Sequence, residues 1–185
     1  MQFRDVGGRH VLSRVQGMTY GTGASSSVVN VFDPQTMLPI SSQTRGPDGK
    51  TIRRTFEAGR VTSVHIAQPG APEIANTFAL DGPTYDFYGG MYGLLLTTFP
   101  LHAGAVGAFQ SVEEFDDSVV TATYEVVGRE RTPAGSRGHV QTWRVRANRP
   151  GQYNMTFWLS QSPPYIIKLE LVNEGDPRVL SWDMI

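Results

Sequence analysis

Between residues 139 and 172 the side chains alternate in character with a period of two. Gln141, Trp143, Val145 and Ala147 fall on one side, with Val140, Thr142, Arg144 and Arg146 on the other. Tyr153, Met155, Phe157 and Leu159 continue the pattern, then Tyr165, Ile167, Leu169 and Leu171, set against Ile166, Lys168 and Glu170. After the turn Asn173-Glu174-Gly175-Asp176-Pro177, Leu180, Trp182 and Met184 repeat it. Successive side chains on a strand point to opposite faces, so this spacing requires strands with one buried and one wetter face. Antiparallel sheets satisfy that condition.

The rest of the chain extends the reading. Strands are expected over residues 10–20, 27–32, 37–45, 51–57 and 61–67, then over 105–112, 118–131 and 139–147. Gly46-Pro47-Asp48-Gly49 joins two of these as a hairpin turn, and Asp33-Pro34 and Pro69-Gly70-Ala71-Pro72 end others. Gly21-Thr22-Gly23-Ala24-Ser25 has the composition of a phosphate loop, but it lies between two strand-like runs and opens no helix, so it reads as a turn. About ten strands are expected in all.

One stretch departs from this scheme. In YDFYGGMYGLLLTTFPLHAG, residues 85–104, Tyr88, Met91, Tyr92, Leu95 and Phe99 recur at helical spacing. Thr84 and Asp86 offer start signals, and Pro100 a stop. Gly89, Gly90 and Gly93 each weaken a helix by about 1 kcal/mol relative to alanine, so packing must hold it. No Lys, Arg, Asp or Glu occurs from Phe87 to Val112, yet the glycines, Pro100, His102 and Gln110 break the run of about 20 apolar residues that a membrane span needs. The expected fold is therefore mainly β: one curved antiparallel sheet, an open or incomplete barrel, wrapped round a central helix over residues 87–99. The chain of 185 residues is read as a single domain over its full length.

Composition narrows function mainly by exclusion. A net charge of −1 gives no electrostatic ground for nucleic-acid binding. The absence of cysteine removes disulfides, thiolate metal sites and cysteine nucleophiles. No nucleophile-elbow or zinc-helix motif occurs, and His10, His65, His102 and His139 are scattered singly. His102, near Asp81 and Asp86 in sequence, reads as a structural histidine. Glu113-Glu114-Phe115-Asp116-Asp117 lacks calcium-loop spacing and reads as a solvated acidic turn. Neither a catalytic residue nor a cofactor or metal is expected. Trp158 alternates against Phe157 and Leu159, which puts it on the wetter face, where it is free to meet a partner or line a cleft.

Pro100-Leu101-His102-Ala103-Gly104, Gly128-Arg129-Glu130 with Pro133-Ala134-Gly135, and Trp158-Leu159-Ser160 with Pro164-Tyr165 together resemble a family of exported bacterial β-rich proteins of unknown function. The resemblance covers residues 85–172 and loosely the part before them. The architecture is also similar to lipoprotein-carrier half-barrels, in which a curved sheet holds helices or acyl chains. The resemblance implies a periplasmic or extracellular location. The start, MQFRDVGGRHV, lacks a signal-peptide layout, which leaves the cytoplasm open. Two functions follow as expectations. One is non-catalytic binding of a hydrophobic ligand, a lipid or acyl chain, lined by Tyr88, Met91, Tyr92, Leu95, Trp143, Phe157, Trp158, Tyr165 and Trp182. The other is an envelope protein-interaction module with a filled core and an exposed patch around Trp158.

Overall fold

The structure, a computed structural model, describes residues 1–19, 21–87, 89–113 and 116–183. It is mainly β, with 60% of the chain in strands and 6% helical. Two open antiparallel sheets of seven strands each replace the single curved sheet expected. The first is a simple meander, β1 (Gln2–Val6), β2 (Arg9–Thr19), β3 (Ser25–Phe32), β4 (Pro39–Arg45), β5 (Thr51–Glu57), β6 (Arg60–Ile66) and β7 (Glu73–Ala79), in that spatial order. The second comprises β8 (Thr84–Tyr85), β9 (Val106–Val112), β10 (Val119–Pro133), β11 (His139–Arg149), β12 (Tyr153–Leu159), β13 (Ile166–Asn173) and β14 (Val179–Asp183), again in sequence order across the sheet. The chain divides into two compact units, residues 1–86 with 112–119, and residues 87–111 with those from 120 onward.

Turn chemistry sets the strand ends. Gly49 has φ +87°, which glycine adopts without steric cost, and Gly46 N–H donates to the Lys50 carbonyl at 2.8 Å to close the β4–β5 hairpin. After β3, the Asp33 carboxylate accepts from the backbone N–H groups of Gln35 (3.0 Å) and Thr36 (3.1 Å). Those bonds hold the Asp33 carboxyl below the ordinary carboxylate range, with the Thr36 bond contributing most and Arg9 adding to it. The Gly21–Ala24 segment connects β2 to β3, as a turn rather than a phosphate loop.

The period-2 reading of the second sheet holds for β11 and β12, where Val145 faces Phe157 and Ala147 faces Met155. It fails at one place for a physical reason. A register shift follows Trp158, so Leu159 pairs with Ile166 and Trp158 with Lys168. Ile167 is the inserted residue, and it packs with Trp158 and Ala134 on the opposite face. A bulge of this kind flips the alternation, so the expected inward Ile167 and outward Ile166 exchange places.

The central helix is the main correction. Among the described residues only Tyr92–Leu96 (α1) is α-helical, preceded by a single 3₁₀ turn at Gly89–Met91. Three glycines in five positions remove the intrinsic helicity that a 13-residue rod would need. No side chain caps its start: Asp86 is bonded by Asn30 instead, and Thr84 lies in β8 with its hydroxyl on the Gly82 carbonyl. Thr97 and Thr98 hydroxyls donate to the Leu94 and Leu95 carbonyls at 2.7 Å, satisfying helix-end acceptors where the helix stops. Among the described residues no helix is long and apolar enough to cross a membrane.

Candidate functional site

In the second unit, α1 and its flanks lie against one face of the sheet. Tyr92, Gly93, Leu95 and Leu96 are buried, as is Phe87. A Cβ on Gly93 would fall 2.7 Å from Ile166 Cδ1 and 2.8 Å from Phe157 Cδ1, and one on Gly90 2.7 Å from Leu169 Cδ2. Missing methyl groups thus let the helix backbone settle directly onto the side chains of β12 and β13. Phe109 packs edge-on to Tyr92 at 5.0 Å between centroids, and Phe99 lies between Phe109 (6.0 Å) and Tyr124 (5.3 Å). The Tyr92 hydroxyl is enclosed beside Tyr153, Arg149 and Ser111, and burial raises it well above the usual phenol range. Arg149, itself buried, donates to the Tyr153 hydroxyl at 2.9 Å.

The residues expected to line a ligand site therefore divide. Tyr92, Leu95 and Phe157 come together on this face with no solvent exposure, and Met91 is half-buried at the helix start. Trp143 shares the face by register with Leu159, and its ring is covered by the Arg129 guanidinium at 4.3 Å. Trp182 also shares it, opposite Leu169, but on the edge strand β14, where it is 45% exposed. Tyr165 is exposed just before β13. Tyr88 lies outside the described residues.

Trp158 is on the opposite face, as the alternation predicts, but it is buried rather than free. Ala134, Ile167 and Val140 pack around it, its indole N–H donates to Glu130, and the Lys168 ammonium sits 4.6 Å above its ring. Glu130 also pairs with Arg144 at 3.4 Å and Lys168 with Glu170 at 2.6 Å. The tryptophan belongs to a small secondary core and is not itself an exposed contact.

The first unit holds a feature that the sequence reading missed. Arg14, Asn30, Ser42, Arg54, Ser63 and Asn76 stand opposite one another in register on β2 to β7, a single polar row across one face of the sheet. All but Asn76 are buried. Arg14 donates to Asn30 at 2.8 Å, Asn30 donates to the buried Asp86 carboxylate at 2.9 Å, and Arg54 donates to the Asp116 carbonyl at 2.8 Å. Burying such groups is tolerable only because partners replace water. Asn30, Arg54 and Asn76 each lie between apolar neighbours two residues away, as in Val28-x-Asn30-x-Phe32 and Ile52-x-Arg54-x-Phe56, and that interruption is the signal a sequence could have offered.

The acidic turn joins this row. His65 Nε2 lies 2.8 Å from Asp117 Oδ2, and Asn76 donates to the same oxygen at 2.9 Å. Burial would raise the Asp117 carboxyl, but Asn76, Ser63 and His65 together hold it below its ordinary value. Asp117 is thus a clamp on the sheet and not a solvated side chain; Glu114 and Phe115 lie outside the described residues. Ser63 is fully buried and His65 is engaged by a carboxylate, so the trio has no accessible hydroxyl for nucleophilic chemistry. His102 is exposed, and its Nδ1 lies 3.4 Å from its neighbour's carbonyl, Ala103 O. Among the described residues no group of three His, Asp or Glu is placed to hold a metal ion. No family model, curated protein or solved structure matches the chain.

Proposed function

We propose that this protein is a non-catalytic interaction module that works through protein contacts at its surface. The observation that carries the reading is the seat of α1: Gly90 and Gly93 bring the helix so close to Leu169, Ile166 and Phe157 that an added carbon would meet them at 2.7–2.8 Å. An apolar face occupied this closely by the protein's own segment has little left for an acyl chain, which favours the interaction reading over the ligand reading. Beyond that seat, Leu180 and Trp182 remain about half exposed on the same face of the edge strand β14. Exposed aromatic and aliphatic side chains on an open edge are suited to a protein partner. An envelope location for that partner is part of the proposal and rests on the resemblance to exported proteins.

A photo-crosslinking amino acid in place of Leu180 tests this in cells expressing the full chain. The expected result is one discrete crosslinked protein that disappears with Trp182→Ala and is absent when the probe replaces exposed Arg137. Equal labelling from both positions, or labelling insensitive to Trp182→Ala, overturns it.

A further inference from the structure

We infer that β7 is a self-association edge through which two copies of this chain form one continuous antiparallel sheet. This concerns the first sheet and is independent of the β14 reading. β7 is the last strand in its sheet and its register with β6 is unbroken from Arg60–Ala79 to Ile66–Glu73. Its residues are exposed apart from half-buried Phe78, and Ile74 is 67% exposed. Natural edges are guarded by lysine, proline, bulges or inward charges. Glu-Ile-Ala-Asn-Thr-Phe-Ala carries none of these, and its one charge, Glu73, is paired with Arg53 at 2.5 Å.

The sequence of β7 also specifies its partner. Two copies paired antiparallel about Asn76 place Ile74 opposite Phe78 twice, Ala75 opposite Thr77 twice, and Glu73 opposite Ala79. Ile74 meets Phe78 on one face, with the two Asn76 side chains on the axis between them, the small Ala75, Thr77 and Ala79 lie with Glu73 on the other, and no like charges face each other. The same operation fails at the other edge of this sheet: in β1, pairing about Arg4 sets two arginines opposite each other and Phe3 against Asp5. Such a two-fold contact is self-complementary and closes as a dimer. Seven residues exchange about six to eight backbone hydrogen bonds, a small interface of the weak, transient kind.

The chain has no cysteine, so single introduced cysteines report register directly. Sedimentation velocity of the full chain should show a concentration-dependent dimer, and Ile74→Lys should weaken it at least about tenfold. Under mild oxidation Asn76→Cys should give a covalent dimer, because residues on the axis have Cα atoms about 5 Å apart. Ile74→Cys should remain monomeric, its two copies lying about 13 Å apart along the strands. A chain that stays monomeric up to about 1 mM, the weak end of specific association, a dimer indifferent to Ile74→Lys, or equal crosslinking from both cysteines overturns the inference.

Discussion

Gly93→Ala sets two effects of opposite sign against each other. In an ordinary helix the change gains about 1 kcal/mol of propensity. Here the added methyl group would lie 2.7 Å from Ile166 Cδ1 and 2.8 Å from Phe157 Cδ1, inside van der Waals contact. Forcing extra carbon into a filled site costs about 1–3 kcal/mol. The Ile166 tip can rotate away but the Phe157 ring, fully buried, has less freedom, so the middle of that range applies and the net loss is about 1 kcal/mol. For a chain of this size that lowers Tm by about 2–4 °C. Urea denaturation followed by circular dichroism, with an unchanged m-value, measures it. Ile166→Val removes the nearest clashing atom and should cost less in the Gly93→Ala background than alone. A gain of about 1 kcal/mol from Gly93→Ala, as propensity alone dictates, refutes the close seating of the helix.

Three further outcomes follow from the same physical picture. Asn30→Ala removes a group bonded to both Arg14 and Asp86, two charge-assisted hydrogen bonds within a buried row, and should cost about 2–3 kcal/mol by denaturant titration. Asp33 has a folded-state carboxyl below its unfolded value near 3.9, so the stability it contributes is present at pH above that value and is lost as pH falls through the lower folded value. The stability difference between wild type and Asp33→Ala, measured at pH 7, 5 and 3, should therefore shrink toward the acid end. Trp158→Phe keeps most of the packing against Ile167 and Ala134 but loses the N–H donor to Glu130, and should cost about 1–2 kcal/mol in thermal unfolding.

The sequence spoke clearly where burial imposes a pattern. β11 and β12 alternate because one face is covered, and the Gly46–Gly49 turn joins β4 to β5 where its composition says it should. Strands exposed on both faces feel no such constraint. β1 mixes charged and apolar residues on one face, β7 carries just two large apolar side chains, Ile74 and Phe78, and neither was expected as a strand. The helix was overestimated because apolar spacing reflects which side chains are covered, and Tyr92, Leu95 and Leu96 are covered without a continuous helix. The bulge after Trp158 leaves no trace in residue type, so Ile166 and Ile167 were exchanged. The polar row of the first sheet is set by register between six strands, which only the pairing reveals. Of the expected site, Tyr92, Leu95 and Phe157 do share a face, while Trp158 was placed on the correct face but not recognised as buried.

The central claim is that the chain's own residues occupy the apolar face of the second sheet. Native purification, organic extraction and mass spectrometry test it most directly. A filled face predicts no lipid or fatty acid in stoichiometric amount, in wild type and in Gly93→Ala alike. One acyl chain recovered per protein molecule would contradict it.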